Sequence, residues 1–143
     1  MAVVGILAVT ATVIGINGYE QLVDVPKKNK RAALAAVDAR AHTFADQLTS
    51  AFSTGPQTVT SLQALARNST VTNVFANQTS TSVTIAFISE TSYADGWTGS
   101  LAQYCYQDTL IRGSSGVSGQ LLSISCSALP TRWATASEQL SVR

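Results

Sequence analysis

Residues 1–19 read MAVVGILAVTATVIGINGY, and not one of them carries a side-chain charge. The run is about as long as the ~20 apolar residues a helix needs to cross the hydrocarbon of a bilayer. A helix that is apolar all round needs cover on every side. A chain of 143 residues has too little other apolar surface to provide it. The stretch is therefore read as a helix buried in a membrane or in an assembly. It has neither the basic leading region nor the small-residue cleavage site of a secretory signal peptide.

Working outward, the period changes. After Pro26 and the basic run Lys27, Lys28, Lys30 and Arg31, apolar side chains fall at Leu34, Val37, Ala41, Phe44, Leu48 and Ala51. Spacings of three and four place them on one helical stripe. Asp38, Arg40, Asp46 and Gln47 take the opposite face, so this half is amphipathic and packs its stripe on a domain or on neighbouring helices. Gly55 and Pro56 end it. The two halves together make one helix of about 50 residues, or ~80 Å at 1.5 Å per residue. Gly15, Gly18 and Pro26 are its weak places, and a kink or an unwound stretch is expected between Gly15 and Pro26.

Past Pro56 the chain turns polar and strand-like. Residues 60–67 suit a short helical turn, and the Asn, Ser and Thr density of 68–80 reads as loop, interrupted by Val71, Val74 and Phe75. Residues 82–89 (SVTIAFIS) alternate, with Val83, Ile85 and Phe87 on one face, and Asp95 and Gly96 supply turn chemistry. Residues 101–111 form a second strand and residues 121–128 a third, joined by the flexible connection 113–119 (GSSGVSG). If these two strands pair symmetrically about that loop, Cys126 lies opposite Cys105, and opposed strand residues are close enough for a disulfide. The tail, with Trp133, Leu140 and Val142, adds a fourth short strand or lies over the sheet. The expected fold class is α+β. A long N-terminal helix, residues 1–54, packs on a small antiparallel sheet of three to four strands within a disulfide-closed domain, residues 55–143.

Composition excludes several functions. With 12% charged residues and a net charge of +1, the chain has no field to steer nucleic acid, and its basic residues do not interleave with aromatics. No specific nucleic-acid partner is expected. The two cysteines form no CxxC or Cys/His metal spacing, and one disulfide outside the cytoplasm is their expected fate. His42 is the single histidine and sits beside the helical stripe, where a helix-surface role outweighs that of general base or ligand. Asp24 and Lys28 at helical spacing read as a solvated ion pair. No nucleophile elbow surrounds a serine, and the glycines of 113–119 lack the lysine and helix start of a phosphate cradle. Tyr93, Trp97, Tyr104 and Tyr106 read as core and cross-strand packing rather than a ligand surface. No catalytic, cofactor or metal residues are assigned. Asn68-Ser69-Thr70 and Asn77-Gln78-Thr79 match the N-glycosylation pattern, which leaves Asn68 and Asn77 either decorated or part of a bare polar loop.

The order of these parts resembles that of type IV pilins and pseudopilins: apolar N-terminal segment, continuing amphipathic helix, variable polar loop, antiparallel meander and C-terminal disulfide loop. The local echo is Val3-Val4-Gly5-Ile6-Leu7-Ala8, similar to the valine- and isoleucine-rich, glycine-containing stretch of pilin N termini. Gly5 stands where pilins typically carry a glutamate, if Met1 is the mature start. The resemblance implies a subunit drawn from a membrane and packed helix-inward into a helical homopolymer at the cell surface, with copies of itself as partners. Small residues at Ala2, Gly5, Ala8, Ala11, Gly15 and Gly18 would let such helices approach closely. Two other readings stay open. One is a bitopic accessory protein of an envelope complex with a partner-binding β domain, and the other is a membrane-tethered binding module.

Overall fold

The computed structural model describes residues 24–96, 98–129, 134 and 138–143 in full, together with the helical backbone of residues 2–23. The chain is α+β, one long helix against antiparallel sheets. Helix α1 spans Ala2–Thr54 and is followed by β1 (Gln57–Thr58), α2 (Val59–Asn68), β2 (Val71–Gln78), β3 (Ser82–Asp95), β4 (Thr98–Gly113) and β5 (Gly116–Ile124). A single 3-10 turn (Cys126–Ala128) and β6 (Gln139–Leu140) complete it. The main sheet has the order β2-β3-β4-β5, and β1 pairs with β6 in a separate two-stranded ribbon.

The second half of α1 packs as its periodicity requires. Val37, Ala41, Phe44 and Leu48 are fully buried, joined by Ala33, Ala45 and Phe52. Leu34 and Ala51 at the stripe's margin are only half-buried. Opposite them, alternate β3 residues Val83, Ile85 and Phe87 are fully buried. Phe44 meets Phe87 edge-on at 4.8 Å, and Phe87 stacks on Tyr106 of β4 at 5.7 Å. Each such side chain taken out of water contributes about 2 kcal/mol. Polar ties fix the helix's height on the sheet. Ser89 Oγ donates to the Val37 carbonyl at 2.8 Å, Arg40 Nη1 to the Glu90 carbonyl at 3.1 Å, and the Tyr106 hydroxyl to Asp38 Oδ1 at 3.0 Å.

Helix α2 starts at a reciprocal cap. The Thr58 hydroxyl accepts from the Ser61 amide at 3.1 Å, while the Ser61 hydroxyl accepts from the Thr58 amide at 3.0 Å. Val59, Leu62 and Ala66 then close the core at this end. The Gln57 side chain donates to the carbonyls of Ala51 and Gly55 and so caps the preceding helix end.

Several expectations are corrected. The 68–80 segment is not a loop: it is β2, paired with β3, with Val71, Val74 and Ala76 buried. A bulge between Thr72 and Phe75 breaks its alternation, and Asn73 adopts a φ of 49° there. An extra residue in a strand erases the period-2 signal, so the sequence looks irregular where the backbone is paired. The 113–119 connection is mostly strand. Gly113 pairs with Gly116, leaving a two-residue turn, and β5 begins three residues earlier than the end of the expected loop. That shift puts Ile124, not Cys126, opposite Cys105, and Cys126 lies beyond the strand in the 3-10 turn. The helix also runs on through Pro26, so no unwound stretch occurs there. A proline removes one donor, and near an exposed helix surface water can take up the freed carbonyl. The tail's strand β6 joins β1 rather than the main sheet, whose fourth strand is β2. Trp97, Pro130 and Trp133 lie outside the described residues.

Candidate functional site

The end of α1 where the domain stops is the first place of interest. Ala33 is the first buried described residue, and Asp24, Val25, Lys27, Lys28, Lys30 and Arg31 are exposed. Asn29 Nδ2 donates to the Ala94 carbonyl at 3.1 Å, near the tip of the β3–β4 hairpin. That hairpin turns between Asp95 and Thr98, with Gly96 at a φ of 67° that only a residue without Cβ adopts at no cost. The sheet therefore covers α1 from about Asn29 to Thr54. This is ~39 Å of helix, within the ~46–53 Å reach of strands of 14 and 16 residues at ~3.3 Å per residue. None of the four basic side chains is ion-paired among the described residues, and Asp24 and Lys28 form no bridge. Among the described residues no helix is long and apolar enough to cross a membrane. The side chains of the apolar stretch, including the assembly positions Ala2, Gly5, Ala8, Ala11, Gly15 and Gly18, lie outside the described residues.

The second place is a notch between α1 and the β4–β5 hairpin. Alternation on β4 turns Tyr106, Asp108 and Leu110 toward the helix, which places a carboxylate in a core phase. Asp108 is fully buried, and neither carboxylate oxygen has a hydrogen-bond partner among the described residues. It borders a cavity of about 350 Å³ lined by His42, Asp46 and Thr49 of α1 and by Gly119 and Gln120 of β5. Burial pushes the Asp108 carboxyl up from 3.8 to about 6, and the Asp46 charge adds to the rise. The Gln120 backbone amide lies near enough to oppose this in part, though not in the geometry of a completed hydrogen bond. Gly119 makes the arrangement possible. A Cβ there would sit 2.8 Å from Asp108 Oδ1 and 3.0 Å from Thr49 Oγ1.

Other singled-out residues stand apart from these places. Cys105 and Cys126 are joined, with Cα atoms 5.1 Å apart. The bond lies on the sheet face turned away from α1, where Cys105 pairs with Ile88 of β3 and where Ala86 and Ile88 are also buried. The Ala134 amide donates to the Ala76 carbonyl of edge strand β2 at 3.1 Å, so the tail is anchored at both sides of the sheet. His42 is exposed and lies 3.8 Å from Asp38, one turn away. Tyr106 is core and Tyr104 is exposed, its ring edge-on to Tyr106 at 6.3 Å. Burial and the Asp38 hydroxyl bond push the Tyr106 phenol up, so it remains a donor at any physiological pH. Asn68 ends α2 and Asn77 lies on β2, both exposed and far from the notch in the chain. A larger hollow of about 610 Å³ lies between α2 and β2, with Arg67 the one charged residue among its described lining. Among the described residues no three His, Cys, Asp or Glu side chains group as a metal site would.

Sequence reasoning passed over Asp108 and Gly119. The signal for Asp108 is its place in the run Tyr104, Tyr106, Asp108, Leu110, where alternation alone assigns it inward. Gly119 carries no such mark, because its need arises from Thr49, 70 positions earlier in the chain. No protein-family model, curated protein or solved structure matches the chain.

Proposed function

We propose that the chain is a structural subunit of a surface filament, assembled by burying residues 1–19 against copies of itself after a membrane-inserted stage. The observation that carries this is the extent of the sheet. Among the described residues the domain's cover of α1 begins at about Asn29, and the uncharged run 1–19 has the composition of a segment that lipid or other subunits shelter. The amphipathic half supports it, since its stripe is spent on the chain's own core and is not the surface by which copies would associate. The joined cysteines agree with a domain outside the cytoplasm. In such a subunit the β domain coats the filament, and the chemistry at its surface is recognition rather than catalysis.

The test is a chain beginning at Lys27, compared with the full chain by sedimentation and electron microscopy. The shortened chain is expected to be soluble, folded and monomeric. A charge placed at Ala8 or Ala11 in the full chain is expected to abolish assembly and leave the thermal transition of the domain unchanged. Polymers of the shortened chain identical to those of the full chain would reduce α1 to an anchor and end the filament reading.

A further inference from the structure

The notch beside Asp108 is a built acidic receptacle without its counter-charge. Its floor is a fully buried carboxylate with both oxygens unpartnered, its wall carries Asp46, and Gly119 keeps side-chain bulk out of it. An uncompensated buried carboxylate is costly, and a neighbouring like charge raises the cost. No cation of the described chain relieves it. Arg40 is committed to the Glu90 carbonyl, Arg112 donates to the Val142 carbonyl, and His42 lies against Asp38. The same helix meanwhile displays Lys27, Lys28, Lys30 and Arg31, all exposed and unpaired among the described residues.

We propose that the notch receives a lysine or arginine side chain from the 27–31 cluster of a second copy, held by Asp108 and Asp46. Lys28 and Asp46 are 18 residues apart, ~27 Å along α1. Parallel copies slid by about that distance bring one subunit's cluster level with the next subunit's notch. The cavity of about 350 Å³ gives a basic side chain room beside exposed Asp46, and contact with the buried Asp108 oxygens requires a local opening of the notch. The contact joins unlike patches, head to tail, so it propagates along an axis instead of closing a dimer. It rests on the filament reading and specifies how successive subunits are set in register.

A double-mutant cycle on the full chain tests it, with the critical concentration for polymer as the readout. One arm is Asp46→Asn or Asp108→Asn, the other is Lys28→Gln with Arg31→Gln, and the third combines them. Each single arm is expected to raise the critical concentration about 10-fold, with the combination no worse than either alone. Asp108→Asn is also expected to leave the domain's melting temperature undiminished, separating lost assembly from lost folding. If that variant fails to fold, Asp46→Asn on the exposed wall carries the same arm. Additive losses, or no loss from either arm, overturn the contact while leaving the filament intact. Failure of the unaltered chain to polymerise overturns both proposals.

Discussion

Asp108 is the residue at which stability and pH meet. Its folded-state pKa of about 6 lies above the ordinary 3.8, so between those values the folded chain keeps a proton that the unfolded chain releases. Stability is therefore highest at the acid side of this window and declines as pH rises through it. Above about pH 6 the full penalty persists, on the order of 2–3 kcal/mol for a rise of that size. Thermal melts of the monomeric domain are expected to give a lower midpoint at pH 7.5 than at pH 5, and Asp108→Asn is expected to remove most of that difference. A flat profile in the unaltered domain would mean that the carboxylate is already compensated. At Gly119 the argument is steric. Gly119→Ala puts a methyl 2.8 Å from Asp108 Oδ1 and is expected to cost about 1–3 kcal/mol, read as a lower denaturation midpoint.

Among the elements, β2 and the C-terminal turn depend on single backbone solutions. The bulge of β2 holds Asn73 at a φ of 49°, a conformation that asparagine and glycine tolerate and β-branched residues resist. Asn73→Gly is expected to be close to neutral, while Asn73→Val loses about 1–2 kcal/mol in urea unfolding. Equal effects from the two would show that side-chain contacts, not the backbone, govern the site. The disulfide closes a separation of 21 residues and pins the start of the tail over Ile88. Replacing both cysteines by serine is expected to remove about 3 kcal/mol and to raise proteolytic cutting after Ile124, where the chain leaves the four-stranded sheet. Intact mass without reduction that revealed two free thiols would remove this element from the mature protein.

For the whole molecule, the division of α1 is the governing feature. From Asn29 onward the helix is core to its own sheet, and the uncharged run 1–19 is the part for which we propose shelter in lipid or in other copies. The position of the domain along the helix is set by hydrogen bonds to Ala94, Ser89 and Tyr106. Asn68 and Asn77 are exposed, as attachment of a glycan at either would require. An intact mass above 15.0 kDa for protein from its native cells is the expected sign of decoration there, and a mass equal to the polypeptide's removes it.

The long helix, its buried stripe and the alternation at the start of β3 were legible in the residues themselves, because 3.6- and 2-residue periods are local and survive without knowledge of partners. The joining of Cys105 to Cys126 was legible too, although the register offered for it was two residues out. Turn geometry, not symmetry about the glycines, sets that register, and the turn closes on Ser114 and Ser115. The strand β2 was hidden, since a bulge destroys the pattern by which a strand is recognised and only pairing with β3 restores it. The acidic notch was hidden for a different reason. His42, Asp46 and Thr49 meet Asp108, Gly119 and Gln120 across about sixty residues of chain or more, and only the docking of α1 on the β4–β5 hairpin decides that a carboxylate there is left without a partner.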